Sequence, residues 1–118
     1  MNPIRHIEMW VSNMERSMAF YKSFLEMLGW QQVDANGFSC DGTKVYFREV
    51  KAPIMETLGP RHICFGAAGK EVVDNITKQL ESQGAKILHG PAVLHAGGSY
   101  LLVFKDPDGY ILEVAHKE

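Results

Sequence analysis

The chain predicts an α+β fold made of two βαβββ units in tandem. Three observations lead there. Each half opens with a short alternating stretch around a histidine, IRHIEMWV at 4–11 and RHICFG at 61–66. Each continues into an amphipathic helical stretch that stops at a glycine: Gly29 follows His6 by 23 residues, and Gly84 follows His62 by 22. Each closes with short β-like runs divided by tight-turn residues. A repeat at this scale marks one supersecondary unit used twice. The units are assigned to residues 1–58 and 59–118 of a single domain.

In the first half, Ile7, Met9 and Val11 share one strand face, and His6, Glu8 and Trp10 share the other. Ser12 is placed to cap a helix, with Glu15 three residues on completing a capping box. Met14, Met18, Tyr21, Leu25 and Leu28 then recur at steps of three and four, the apolar stripe of an amphipathic helix. Gly29 ends it, because glycine readily takes the left-handed conformation that follows a last helical turn. WQQVD, GFSC and TKVYFREV read as a three-strand meander, with Asn36-Gly37 and Asp41-Gly42 as its turns. Residues 51–60, with two prolines and a glycine, read as the connector.

The second half repeats the plan. His62 and Cys64 share one face of the opening strand, and Ile63 and Phe65 the other. Val72, Val73, Ile76 and Leu80 mark a helix over 70–83. AKIL, SYLLVFK and YILEVAH are the later strands, and Asp106-Pro107-Asp108-Gly109 is the turn between the last two. This half is longer by about a dozen residues, judged from its glycine spacing as a repeat period. The extra length is assigned to a loop, HGPAVLHAGG at 89–98.

Composition excludes several functions. Twelve Lys plus Arg against fourteen Asp plus Glu leave a net charge of −2 with no basic run, so neither nucleic acid nor an anionic membrane is an expected partner. No apolar stretch is long enough to span a bilayer. The start, MNPIRHIEMW, lacks the charged and apolar regions of a signal peptide, so the cytoplasm is the expected address. Cys40 and Cys64 are too few for a disulfide framework and are expected to be buried, reduced thiols.

The chemistry lies on the face away from the helices. There the alternation places His6, His62 and Glu113. Two imidazoles and a carboxylate facing inward need partners, and one divalent cation satisfies all three. The set suits Zn, Ni, Fe or Mn and leaves coordination positions open. Tyr46 and Arg48 share the corresponding face of the fourth strand: Tyr46 can bond a bound oxygen, and Arg48 can hold an anionic group. His95, in the long loop beside Gly97 and Gly98, is a candidate general base. His89 and His116 read as surface residues, and Trp10 as an apolar wall.

HIEMWVSNMERSMAFYKSFLEMLGW, RHICFG and FKDPDGYILEV together resemble the vicinal oxygen chelate superfamily, which includes glyoxalase I, extradiol dioxygenases, fosfomycin-modifying thiol transferases and bleomycin-resistance proteins. The resemblance covers almost the whole chain. It implies paired βαβββ modules curled around a cleft, a divalent metal held by His6, His62 and Glu113, and a small oxygenated substrate. Lyase, isomerase or thiol-transferase chemistry follows from it, in a homodimer whose paired modules come from one chain or two. Glyoxalase I adds a glutamate on the last strand of the first module. Matching VYF to LEV puts Tyr46 there, and Glu49 would replace it only through a bulge. Two alternatives share the fold: an Fe-dependent extradiol-type dioxygenase, and a non-catalytic drug-binding protein of bleomycin-resistance type.

Overall fold

The structure, a computed structural model, describes residues 3–51, 62–93 and 98–117. The chain divides into two compact units, Met1–Thr57 and Leu58–Glu118. Each is a four-stranded mixed sheet with one long helix on it, so the α+β fold with a βαβββ repeat is what the protein adopts.

In the first unit the elements are β1 (His6–Val11), α1 (Met14–Leu25), a 3-10 turn (Glu26–Leu28), β2 (Gln31–Asp34), β3 (Gly37–Cys40) and β4 (Thr43–Glu49). The strand order is β1-β4-β3-β2, with β1 parallel to β4 and the rest antiparallel. Alternation works as the sequence implies: Met9 and Val11 are buried, while His6 and Glu8 are exposed. The helix buries Tyr21, Phe24 and Leu25. Tyr21 packs on Phe47 with ring centroids 4.5 Å apart. Burying an aromatic or leucine side chain of this size contributes about 2 kcal/mol, which is what fixes the helix to the sheet. Gly29 ends the helical segment with φ +92°.

One detail of the cap differs from expectation. Asn13, not Ser12, is the N-cap, its side chain accepting from the Arg16 N–H at 2.9 Å. Ser12 instead accepts from the Arg16 guanidinium. Adjacent Ser and Asn are both good caps, and the helix starts one residue later than the capping-box spacing implies. The buried stripe also shifts: Phe24 is fully buried, while Met14, Met18 and Leu28 are only half-buried.

The second unit runs β5 (Ile63–Gly66), α2 (Lys70–Ser82), β6 (Lys86–Val93), β7 (Ser99–Lys105) and β8 (Ile111–Lys117), in the order β5-β8-β7-β6. Its core holds Phe65, Val73, Ile76, Leu80, Leu102, Phe104, Leu112 and Val114. Here the sequence reading needs a second correction. Residues 89–93, expected in the long loop, continue β6. Gly90 and Pro91 look like loop residues, but Gly90 takes φ +80° and the β6–β7 register shifts around it. A bulge thus lets the strand run on to Val93. Among the described residues no helix is long and apolar enough to cross a membrane.

Candidate metal centre

The two units present their histidines in the same way. In the first, β1 runs parallel to β4 with Glu8 opposite Tyr46. In the second, β5 runs parallel to β8 with Cys64 opposite Glu113. His6 and His62 each lie two residues before the β1 or β5 member of those pairs. The register therefore superimposes His6 on His62, Glu8 on Cys64 and Tyr46 on Glu113, as the alignment of VYF with LEV implies.

In the second unit His62 Nε2 lies 3.4 Å from Glu113 Oε2. The Glu113 side chain is 16% exposed and that of His62 39%. Cys64 lies opposite Glu113 in the β5–β8 register, and its thiol donates to the Phe65 carbonyl at 3.9 Å. Partial desolvation first, and then the nearby Glu113 carboxylate, hold the thiol above its ordinary pKa. Cys64 is therefore a protonated donor at neutral pH. It is also exposed rather than buried, because it shares the outer face with His62. Cys40 is half-buried.

In the first unit the rings of His6 and Tyr46 lie 5.5 Å apart. The Tyr46 hydroxyl donates to Glu8, and the Trp10 indole N–H donates to the same carboxylate at 2.8 Å. The Trp10 bond, then the Tyr46 bond, and then the Arg48 and His6 charges lower the pKa of Glu8. The Glu8 bond is also the main reason the Tyr46 phenol is raised. Arg48 is exposed on this face, and the Lys44 ammonium lies 5.4 Å from the Tyr46 ring centre.

Among the described residues no three His, Cys, Asp or Glu side chains come together as a group that could hold a metal ion. The predicted metal residues are divided: His6 in the first unit, His62 and Glu113 in the second. Glu49 takes no part on this face. Its carboxylate accepts the Met14 N–H at 2.8 Å, where negative charge suits the start of α1. His95 lies outside the described residues.

The sequence profile of the Glyoxalase/Bleomycin resistance protein/Dioxygenase superfamily matches residues 4–114. The chain belongs to that superfamily. It is 31% identical over 123 residues to YqjT of Bacillus subtilis (strain 168), a protein of uncharacterized activity, with 94% of this chain and 96% of YqjT covered. A glyoxalase-like protein from Bacillus halodurans superimposes with a TM-score of 0.80 at 27% identity, covering 97% of this chain and 95% of that one. A glyoxalase/bleomycin resistance protein from Albidiferax ferrireducens T118 gives a TM-score of 0.80 at 20% identity, covering 99% and 100%, and shares the fold.

Within this superfamily fold, sequence reasoning put Glu8 on the His6 face without a partner and took His116 for a surface residue. Glu8 faces outward by alternation, but its bond to Tyr46 depends on the parallel β1–β4 pairing, which no local pattern reveals. His116 is half-buried rather than a surface residue, with Nδ1 3.2 Å from the Ala67 carbonyl. His89 is exposed, as expected.

Proposed function

We propose that this protein is a metal-dependent enzyme of the glyoxalase-like type, with a divalent ion held by His6, His62 and Glu113. The observation that carries this is the His62–Glu113 pair at 3.4 Å, repeated in the first unit by a histidine at the same register. The donor chemistry fits the ion. Among the described residues no lysine or arginine pairs with Glu113, so the mostly buried carboxylate faces an imidazole and a thiol. A divalent cation would compensate it fully. Zn, Ni, Fe and Mn all accept this nitrogen and oxygen set, and imidazole suits each of them.

When bound, such an ion supplies Lewis-acid polarisation of a carbonyl or hydroxyl oxygen on a small substrate. The chain does the rest. Arg48, exposed on its strand, is assigned to orient an anionic substrate group. Tyr46 donates a hydrogen bond from a phenol that stays protonated at neutral pH. His95 is assigned to take or return a proton. Lyase, isomerase and thiol-transferase reactions on an oxygenated substrate all use this division of labour. The two histidine half-sites come from one chain or from two copies of it, and a homodimer serves either arrangement.

The test is metal content. The chain and its His6→Ala, His62→Ala and Glu113→Gln variants are equilibrated with each metal, desalted and analysed by mass spectrometry. The wild type is expected to keep one ion per site and each variant to lose it. Equal metal in all four would remove the assignment.

A further inference from the structure

The second sheet sets two lysines directly opposite one another. Lys86 on β6 pairs in register with Lys105 on β7, and Lys105 pairs in turn with Ile111 on β8. Alternation fixes the face they share. Leu102 and Phe104 on β7, and Leu112 and Val114 on β8, are fully buried on the side that meets α2. Lys105 therefore takes the other side, with Val103 and its register partner Glu113. Ile87 pairs with Phe104, which turns Lys86 to that side as well. The two lysines and the His62–Glu113 pair thus occupy one face of one sheet.

Opposite residues in a sheet have Cβ atoms about 4.5–5.5 Å apart, and like charges so placed are destabilising. Among the described residues neither ammonium has a carboxylate partner. Asp106, next to Lys105, is turned into its own turn, where it accepts the Asp108 and Tyr110 N–H groups. Glu113 is met by His62. The first unit shows the contrast. Its corresponding rung is Lys44, Ser39 and Gln31, with a single lysine, and Asp34 closes on that lysine at 2.7 Å. Protection of a sheet edge accounts for Lys86, because β6 is an outer strand. It does not account for Lys105, half-buried on the interior strand β7.

We infer that Lys86 and Lys105 form an oxyanion subsite that takes a phosphate-type dianion. The charge of such a group matches that of the pair, and its oxygens stand where the first unit has the Asp34 carboxylate. Ammonium groups on flexible stems, rooted this close together, can both donate to one tetrahedral group. Combined with the metal site proposed above, on which this step rests, the subsite names the substrate class: a small oxygenated compound carrying a phosphate group. One strand across and two residues along, Lys105 lies about 8 Å from Glu113 at the backbone, a spacing that a short phosphorylated chain bridges.

The experiment is a titration of the metal-free full chain with inorganic phosphate, followed by calorimetry and by the melting temperature, with potassium chloride at matched ionic strength as the control. A ligand of the folded chain raises the melting temperature as its concentration rises. Phosphate is expected to stabilise the wild type beyond chloride. Lys86→Gln and Lys105→Gln are each expected to weaken phosphate binding about tenfold, the loss of one hydrogen bond to a charged group, and the double variant to abolish it. In dilute phosphate-free buffer each glutamine variant is expected to melt no lower than the wild type, since it removes a like-charge pair that salt does not screen there. A wild type that responds to phosphate only as to chloride, or a double variant with wild-type phosphate affinity, would overturn the subsite. So would glutamine variants that melt lower than the wild type but bind phosphate equally well, because the lysines would then be structural. Phosphate binding lost in Arg48→Ala and kept in the double variant would move the anion to the first unit and overturn the inference too. Metal analysis separates this test from that of the metal site: the double variant is expected to keep the wild type's metal, and Glu113→Gln to keep phosphate binding. Phosphate held by the two lysines in a chain that retains no metal would uphold the subsite and remove the metal site alone.

Discussion

The turn before β8 sets where Glu113 lies, and one carboxylate holds that turn. Asp106 is buried at 5% exposure, and its Oδ1 accepts two backbone N–H groups, from Asp108 at 2.9 Å and from Tyr110 at 2.8 Å. Backbone bonds from Gly109 to the Asp106 carbonyl, and from Asp106 to the Tyr110 carbonyl, close the same turn. Asp106→Ala removes both side-chain bonds at once. A hydrogen bond to a charged group contributes about 1.5–3 kcal/mol. Asp108 and Tyr110 are exposed, so their freed N–H groups regain water, and the lower figure applies to each. The expected loss is about 3 kcal/mol. At this chain length that corresponds to a melting temperature about 12 °C lower. Asp106→Asn keeps a neutral acceptor oxygen and is expected to lose about 1 kcal/mol. Urea unfolding of the three proteins measures both differences, with the slope unchanged if only the native turn is affected. An alanine variant within 1 kcal/mol of the wild type, or an asparagine variant as unstable as the alanine one, would refute the reasoning.

Other positions give equally direct tests. A Cβ on Gly90 would run into the Leu101 carbonyl oxygen, and φ there is +80°. Gly90→Ala is therefore expected to cost more than the 1–2 kcal/mol or so of left-handed backbone alone, read from the urea midpoint. Ser17 is fully buried on α1, and its hydroxyl has no hydrogen-bond partner. Ser17→Ala removes an unpaired polar atom and improves helix propensity, so it should raise stability by about 1 kcal/mol in the same assay. The Tyr100 hydroxyl bonds Asp74 at 2.5 Å, and that bond is the main reason its pKa lies above the ordinary value of 10.0. A phenol raised by folding contributes stability that is complete below pH 10.0 and lost as pH rises through the folded value. Ultraviolet titration should show late-ionising tyrosines, Tyr100 and Tyr46, of which one returns toward its ordinary value in Asp74→Asn.

Much of this structure is legible in the sequence, for reasons that differ by element. Met9 and Val11 against His6 and Glu8 show a half-buried strand, because side chains alternate across a sheet whatever its neighbours are. Gly29 and Gly84 mark helix ends because a left-handed residue is needed there: φ is +92° and +73°. Where two local solutions are nearly equal, the sequence does not choose. Ser12 and Asn13 are both competent caps, and only the packing of Tyr21, Phe24 and Leu25 decides where α1 begins. Gly90-Pro91 reads as a loop because nothing local shows that a bulge will let β6 continue. The site divides in the same way. His62 and Glu113 fall on one face by strand alternation, which the sequence shows, but their 3.4 Å approach comes from the parallel β5–β8 pairing. The Glu8–Tyr46 bond and the exposure of Cys64 depend on cross-strand pairing, which becomes visible only once β1 lies beside β4 and β5 beside β8.

The most direct test is crystallographic. A crystal grown with zinc and measured at the zinc absorption edge locates the ion by its anomalous signal alone. The account predicts one peak per site, about 2.0–2.2 Å from ring nitrogens of His6 and His62 and from an oxygen of Glu113, within one chain or across a contact between two. A zinc-saturated crystal whose only peaks lie away from these side chains, with the His62–Glu113 pair still closed at 3.4 Å, would contradict it.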